Sequence, residues 1–279
     1  MPNDHSENVA ETYLALRLGM VLLVGLLFVS AILQIDLASC VLGSISAFYY
    51  TAARSVFIAA LAAIGALLIV YRGNTDRENV LLDFCGFFAF AVAFVPTPID
   101  KRCPASYNPP PEEVAIAVKN NLLALLFIGF VATFVGRLLL NRTSGLARGT
   151  ALKTSAKGSF RIFLVALLVG AGIFWFRQDL ILRWGHPVAA GGLFVCIVAV
   201  VIVNAIGLAQ ARSAKSPWFR NEYWVVAVVM VITLVALLVA GPVLGKVDRW
   251  VLAVEAALIF QFAVFWSLQT AELKGKVKR

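Results

Sequence analysis

Eight stretches of mostly apolar residues constrain the fold that this chain can adopt. A helix that crosses a bilayer needs about 20 apolar residues, so eight such runs take up most of the 279 residues. Backbone polar groups inside lipid must be satisfied within their own segment, and runs of this length are therefore expected to be helices. The runs are 13–33, 52–71, 80–95, 114–140, 160–176, 188–208, 223–244 and 250–268. They predict an all-α, polytopic transmembrane helix bundle with eight spans.

Composition favours one integral membrane domain over residues 1–279. Hydrophobic residues make up 61% of the chain, charged residues 14%, and the mean hydropathy of +0.88 is too high for a soluble domain. The net charge of +9 does not indicate nucleic-acid binding, because the basic residues lie in short links between the apolar runs. The N-terminal segment is acidic and no small-residue cleavage site follows the first run, so that run is expected to remain as an anchor.

The distribution of Lys and Arg predicts the orientation in the membrane. An N-terminus on the inner side places sixteen of the 24 Lys and Arg residues on that side and eight on the outer side, as the positive-inside rule favours. Residues 1–12 and 271–279 are then cytosolic tails, and residues 141–159 form a basic cytosolic loop. The segment 177–187 is expected to lie along the outer interface, with His186 in an outer loop.

Ionisable side chains inside the runs are costly in lipid, and sorting them by depth gives two layers. The outer layer predicts a pocket for a lipid headgroup or a small anion, since an Arg guanidinium binds phosphate or carboxylate through two parallel hydrogen bonds. The outer candidates are Ser46, Tyr50, Arg54, Lys119 and Glu255, and the inner cluster is Arg17, Asp83 and Arg137. Arg54 and Asp83 are not expected to pair, because they begin their helices at opposite faces of the membrane.

Structural roles compete with the binding hypothesis for each of these residues. Arg and Lys side chains near the interface extend toward the headgroups, and interfacial tyrosines form an aromatic belt. Asp83 is expected either to cap its helix or to pair with Arg17. Ser46, Tyr50 and Arg54 share one helix face only if the second helix begins before Ser46.

The four cysteines fall into two groups. Cys85 and Cys196 lie inside apolar runs and are expected to pack as small apolar residues. Cys40 and Cys103 both fall in outer loops, where a disulfide and two unrelated thiols are equally open alternatives. No apolar run contains a histidine, which argues against an intramembrane zinc site, and neither a metal nor another cofactor is predicted.

Small residues predict where the helices approach each other most closely. Spacings of the small-xxx-small type let two helix backbones come together in a membrane. The residues with this spacing are Ala59, Ala62, Ala63 and Ala66 in the second run, and Gly86, Ala89 and Ala93 in the third. These two helices are therefore expected to form the packing centre.

The segment 44–98 carries the strings SISAFYYTAARSVF, IG, YRG and FVPTP, and it resembles an uncharacterised family of bacterial multi-spanning membrane proteins. That resemblance implies the inner membrane of a bacterial cell. A serine and an aspartate on successive helices are also distantly similar to the seven-helix superfamily of alkaline ceramidases and progestin-receptor-like proteins. Members of that superfamily use a serine, an aspartate and three zinc-bound histidines to hydrolyse lipid amides. Ser46 and Asp83 are the counterparts here, but the histidines are missing, so the similarity implies a shared scaffold without the hydrolase activity.

Three functional hypotheses follow from the sequence. The first is a non-enzymatic membrane protein that binds a lipid headgroup or small anion in the outward-facing pocket. The second is an intramembrane enzyme that modifies lipids, and the third is a transporter of small solutes. Membrane lipids are the expected partners in each case.

Overall fold

A computed structural model describes residues 2–100, 103, 105–143, 150–211, 221–243 and 249–277, and it describes side chains within 8–100, 103, 105–138, 160–210, 221–236 and 249–272. The regular structure of these residues is helical throughout, with no strand. The helices are α1 (Pro2–Ala38), α2 (Arg54–Val70), α3 (Asp76–Phe94), α4 (Pro111–Thr143), α5 (Thr150–Phe176), α6 (Gln178–Ala211), α7 (Glu222–Val243) and α8 (Trp250–Val277). The prediction of an all-α fold built from eight helices is confirmed for the described part of the chain.

Several helices extend beyond the apolar runs that predicted them. α1 begins at Pro2 and α8 ends at Val277, so the predicted tails 1–12 and 271–279 are helical wherever they are described. The predicted loop 141–159 is wrong in extent, because α4 ends at Thr143 and α5 begins at Thr150. An apolar run marks only the part of a helix that faces lipid. A helix can continue beyond the run, because residues such as Ala, Leu and Lys have high helix propensity. Other basic positions that set the predicted orientation lie outside the described residues: Lys101, Arg102, Arg148, Arg212, Lys215, Arg220, Lys246, Lys278 and Arg279.

The prediction of an interfacial segment at 177–187 is also wrong. α6 begins at Gln178 and continues through Pro187, so His186 lies inside a helix rather than in an outer loop. Proline is tolerated here because helices in membranes regain the lost hydrogen bond from neighbouring groups. His186 is 6% exposed, and its Nδ1 lies 2.6 Å from the Val95 carbonyl oxygen at the end of α3.

Four helices of the described chain are long and apolar enough to cross a membrane, over Asn8–Ala38, Pro111–Leu138, Gln178–Gln210 and Trp250–Glu272. Shorter apolar helices cover Arg54–Val70, Phe160–Phe176 and Glu222–Ala236. Large apolar side chains on their outward faces are left uncovered, among them Leu22, Phe127, Val165, Val188 and Ile232. Apolar patches of this extent on a folded chain are typical of a surface that faces lipid.

Six of the helices pack in a closed ring. Each of α1, α2, α3, α6, α7 and α8 contacts the next in that order, and α8 returns to α1. α4 and α5 pack against each other as a pair on the outside of α3 and α6. A small separate core of Leu126, Leu167 and Phe174 holds that pair against the ring. The main core lies inside the ring and includes Met20, Phe57, Leu82, Val201 and Trp266.

The closest helix crossing lies between α2 and α3, at Gly65 and Gly86. A Cβ atom on Gly86 would come within 2.5 Å of the Gly65 carbonyl oxygen and of Ile69 Cγ1. Gly86, Ala89 and Ala93 on α3 are buried as predicted, but Ala59 and Ala66 on α2 are exposed. α2 turns Gly65 toward α3, because the carbonyl of Gly86 can approach only a residue that lacks a side chain.

We predict that Gly86→Ala lowers the stability of the fold by about 1–3 kcal/mol, the usual cost of overpacking a close contact. The measurement is thermal unfolding of the purified protein in detergent. Gly25→Ala is the matched control, because a Cβ atom there meets no atom within 4 Å. Equal unfolding temperatures for the two variants would contradict the close approach of α2 and α3 at Gly86.

Candidate functional site

A cap of irregular chain closes one end of the ring, which we call the disulfide end because Cys40 and Cys103 are bonded there. The cap consists of residues 39–53 and the described residues of 95–110. Asp100 accepts a hydrogen bond from the Gly43 N–H at 2.6 Å, and the Tyr107 N–H donates to the Tyr50 carbonyl at 3.1 Å. Of the two alternatives for Cys40 and Cys103, the structure shows the disulfide, which joins the two segments.

Glu255 of α8 ties that helix to the cap. Its carboxylate accepts a hydrogen bond from the backbone N–H of Ile45 at 2.7 Å. Ile45 immediately precedes a short 3₁₀ turn, Ser46–Tyr50, whose first N–H groups have no partner within the turn. A second tie runs from the Leu252 N–H to the Gly43 carbonyl at 3.0 Å.

A cavity of about 60 Å³ lies inside the ring next to Glu255. On the same measure one water needs roughly 10–15 Å³, so the space is larger than a single water requires. Apolar side chains from α1, α2, α3, α6 and α8 form its wall, including Leu27, Phe57, Val92, Leu193 and Phe262. Ser46 and Glu255 are the polar residues of the wall. Glu255 is half-buried and is one of the residues that line the cavity.

Tyr50 and Arg54 are engaged within the cap. The Tyr50 hydroxyl donates to the Thr97 carbonyl at 2.8 Å, and burial raises the pKa of this phenol to about 12. The Arg54 guanidinium lies 4.6 Å from the ring centre of Tyr49 and 4.0 Å from that of Tyr107, so two aromatic faces enclose it. It also donates to the Tyr49 hydroxyl at 3.1 Å. The 3₁₀ turn ends at Tyr50, so Ser46 and Tyr50 do not continue the helical face of Arg54.

The structure therefore brings together two of the five outer candidates, Ser46 and Glu255. Tyr50 belongs to the cap, and Arg54, the first residue of α2, packs its side chain against it; neither residue lines the cavity. Lys119 is an exposed residue of α4, which packs outside the ring, and it is not part of the cavity wall.

The predicted inner cluster does not form, because its three residues have separate partners. Arg17 donates to the Tyr71 hydroxyl and to the Gln269 carbonyl. Asp83 forms an ion pair with Arg72 at 3.6 Å, and Arg137 lies 4.4 Å from the ring centre of Phe160. Ser46 and Asp83 lie at different ends of the ring, so the serine–aspartate pair of the lipid-amide hydrolases is not assembled.

A buried polar network occupies the end of the ring opposite the cap. Glu78 is 1% exposed and accepts hydrogen bonds from the Asn204 amide at 2.8 Å and from the Asn74 N–H at 2.7 Å. The Gln269 side chain donates to Asn204 at 2.9 Å, and the Tyr71 hydroxyl lies 3.4 Å from the side-chain amide oxygen, Oε1, of Gln269. With Arg17 bound to Tyr71, the network links α1, α3, α6 and α8 at one level.

Sequence reasoning missed Glu78, although a signal was present. Thr75 and Glu78 have the T-x-x-E spacing of a capping box, and the Thr75 hydroxyl does accept from the Glu78 N–H at 3.2 Å. Gly73 of the YRG string leaves the space for the carboxylate, because a Cβ atom there would lie 2.2 Å from Glu78 Cδ. The same signal does not reveal Asn204, which lies 126 residues away in sequence.

His186 is a second residue that sequence reasoning placed elsewhere. It lies one helical turn before Ala190, a residue of the cavity wall, and its Nε2 has no hydrogen-bond partner among the described atoms. The described side chains contain no group of three or more His, Cys, Asp or Glu residues that would hold a metal ion.

We predict that Glu78→Ala destabilises the protein more than Glu78→Gln does. The alanine leaves the Asn204 amide and the Asn74 N–H without an acceptor, at a cost of about 1–3 kcal/mol for each unsatisfied group. Glutamine keeps one acceptor oxygen. The measurement is again thermal unfolding in detergent, with the exposed Glu112→Ala as control. Wild-type unfolding of Glu78→Ala would show that the network adds nothing to stability.

Comparison with protein-family models, curated proteins and solved structures finds no match for this chain. The resemblances of the segment 44–98 therefore stay expectations. What the protein does has to be inferred from the ring, its cap and its cavity.

Proposed function

We propose that this protein is a lipid-binding protein of a bacterial inner membrane, with eight spans and both termini in the cytoplasm. In this orientation the disulfide end faces the oxidising outer compartment, where a disulfide persists. The cavity inside the ring holds the hydrocarbon chain of a membrane lipid or of a related amphiphile. The observation that carries the proposal is an apolar cavity walled by five helices, with its polar residues grouped beside the cap.

The lining of the cavity supports a hydrocarbon chain as the occupant. An apolar cavity binds water poorly, because a buried water typically makes about three hydrogen bonds. A hydrocarbon chain makes no hydrogen bonds, so it loses none in such a space, and it gains close contacts with the wall. α8 contributes Glu255, Ile259 and Phe262 to the wall, which at 1.5 Å per residue spans about 10 Å along the helix. The cavity volume of about 60 Å³ admits roughly four to six groups of water size, so an eight-carbon chain fills it and displaces side chains of the wall outward.

The geometry supports a chain better than it supports a small anion. The anion hypothesis depends on Arg54 and Lys119, but two tyrosines enclose the first and the second lies outside the ring. The charged residue of the cavity wall is the acid Glu255. Passage of a polar solute is also disfavoured, because α8 presents apolar Ile259, Phe262 and Trp266 between Glu255 and the buried network.

The proposed orientation predicts which positions a membrane-impermeant maleimide labels in intact cells. Single cysteines are introduced at Ser106 in the cap, at Ser144 between α4 and α5, and at Arg279. We expect Ser106→Cys to react, and Ser144→Cys and Arg279→Cys to react only after the membrane is permeabilised. The matched control is the unmodified chain, whose Cys40 and Cys103 are bonded to each other. If one of Ser144→Cys and Arg279→Cys reacts in intact cells and the other reacts only after permeabilisation, an odd number of spans separates the two positions. That result would contradict the proposed topology.

The proposed chain site predicts that filling the cavity abolishes binding. Ala190 lines the cavity, and Ala190→Leu places extra side-chain atoms in it. We expect 1-octanol to raise the unfolding temperature of the wild-type protein, since a ligand that binds the folded state stabilises it by mass action. Ala190→Leu should lose that rise. Ala66→Leu is the matched control, because Ala66 is exposed on α2.

The control separates cavity binding from uptake into the detergent micelle, which both variants experience equally. A rise of the same size in both variants, or no rise in the wild-type protein, would contradict the proposed site.

A further inference from the structure

Resting on the proposed chain site, we infer that the polar end of the bound molecule is a hydrogen-bond donor, a hydroxyl or an ammonium group, and that it lies against Glu255. The class of ligand is therefore an amphiphile with a neutral or cationic donor at its head. Amphiphiles headed by a carboxylate or phosphate are excluded from this position.

The first argument is the acceptor capacity of Glu255. An ionised carboxylate has about four positions that accept hydrogen bonds, and it donates none. The Ile45 N–H occupies one of them from the cap side. The side chain also lines the cavity, so a donor at the polar end of a bound chain would lie next to it.

The second argument is charge. Among the described residues, no Lys or Arg forms an ion pair with Glu255, and the pairs Arg72–Asp83 and Arg177–Asp179 involve other acids. Arg54 is directed into Tyr49 and Tyr107. An anionic head beside Glu255 would place two like charges together in apolar surroundings, which costs several kcal/mol.

The third argument is the position of the polar residues in the wall. Ser46 and Glu255 both lie beside the cap, while the wall beyond them is formed by apolar residues such as Ile64 and Ile197. A molecule with one polar end fits this arrangement in one direction, with its head at Glu255 and its chain pointing toward Phe262. Charge-assisted hydrogen bonds are shorter and stronger than neutral ones, so an ammonium head should bind more tightly than a hydroxyl.

The test compares octylamine, 1-octanol and octanoic acid, which share one chain length and differ in the head group. Binding of each at pH 9, where the Glu255 carboxyl is ionised and octylamine is still a cation, is measured by titration calorimetry on the wild-type protein, on Glu255→Gln and on Ala190→Leu, all in the same detergent. We expect octylamine to bind at least about tenfold more tightly than octanoate, a difference of about 1.4 kcal/mol. Glu255→Gln should reduce this ratio by about tenfold while octanol binding stays within about twofold, because glutamine keeps an acceptor oxygen for the Ile45 N–H. Retained octanol binding also shows that the variant is folded.

The outcomes separate the inference from the proposed function. If octanoate binds as tightly as octylamine to the wild-type protein, and Ala190→Leu abolishes both, the chain site stands and the assignment of the head group is overturned. If octylamine keeps its advantage in Glu255→Gln, the donor head does not lie at Glu255. If none of the three compounds binds the wild-type protein, the proposed function itself fails.

Discussion

Lipid offers no hydrogen bonds, and this constraint decides where each polar group of the ring is placed. Asn204 illustrates it, because a single amide receives a hydrogen bond from Gln269, donates one to Glu78 and another to the Val200 carbonyl. These bonds hold α3, α6 and α8 at one depth. At the other end, Glu255 and Asp100 provide acceptors for backbone N–H groups of the cap. Between these ends the side chains are mainly apolar, with a hydrogen bond from the Gln261 amide of α8 to the Thr233 hydroxyl of α7 at 2.9 Å, and α2 and α3 meet at the glycine crossing.

The sequence predicted the elements better than it predicted their contacts. Eight apolar runs correspond to eight helices, because a run of about 20 apolar residues has one low-energy conformation in lipid. The helix ends were predicted less well, since residues such as Lys274 and Ala151 extend a helix without adding apolar character. The segment 177–187 was predicted separately from the helix that follows it, but α6 begins at Gln178 and continues through Pro187.

Depth alone did not identify which polar residues meet. Sorting by depth grouped Arg17 with Asp83, yet each side chain contacts a nearer partner, Tyr71 or Arg72, that the sorting did not consider. Rotation of a helix about its axis is set by its neighbours, and the order in which α1, α2, α3, α6, α7 and α8 pack cannot be read from the chain order. Lys119 was misplaced for this reason, because nothing in α4 indicates that it packs outside the ring. Ser46 and Glu255 do lie together, because both are at the disulfide end of the ring, where they line one cavity.

Two buried glutamates have different consequences because their surroundings differ. Glu78 is bonded by a side-chain amide and a backbone N–H, and Gly73 lets the chain pack directly against it, so no space remains for a ligand. Glu255 is bonded by the Ile45 N–H and lines a cavity. A fully packed carboxylate fixes helices, whereas a carboxylate at the wall of a cavity can receive a further donor. The same residue type is therefore a structural group at one end of the ring and, under the proposed function, the group that binds the ligand at the other.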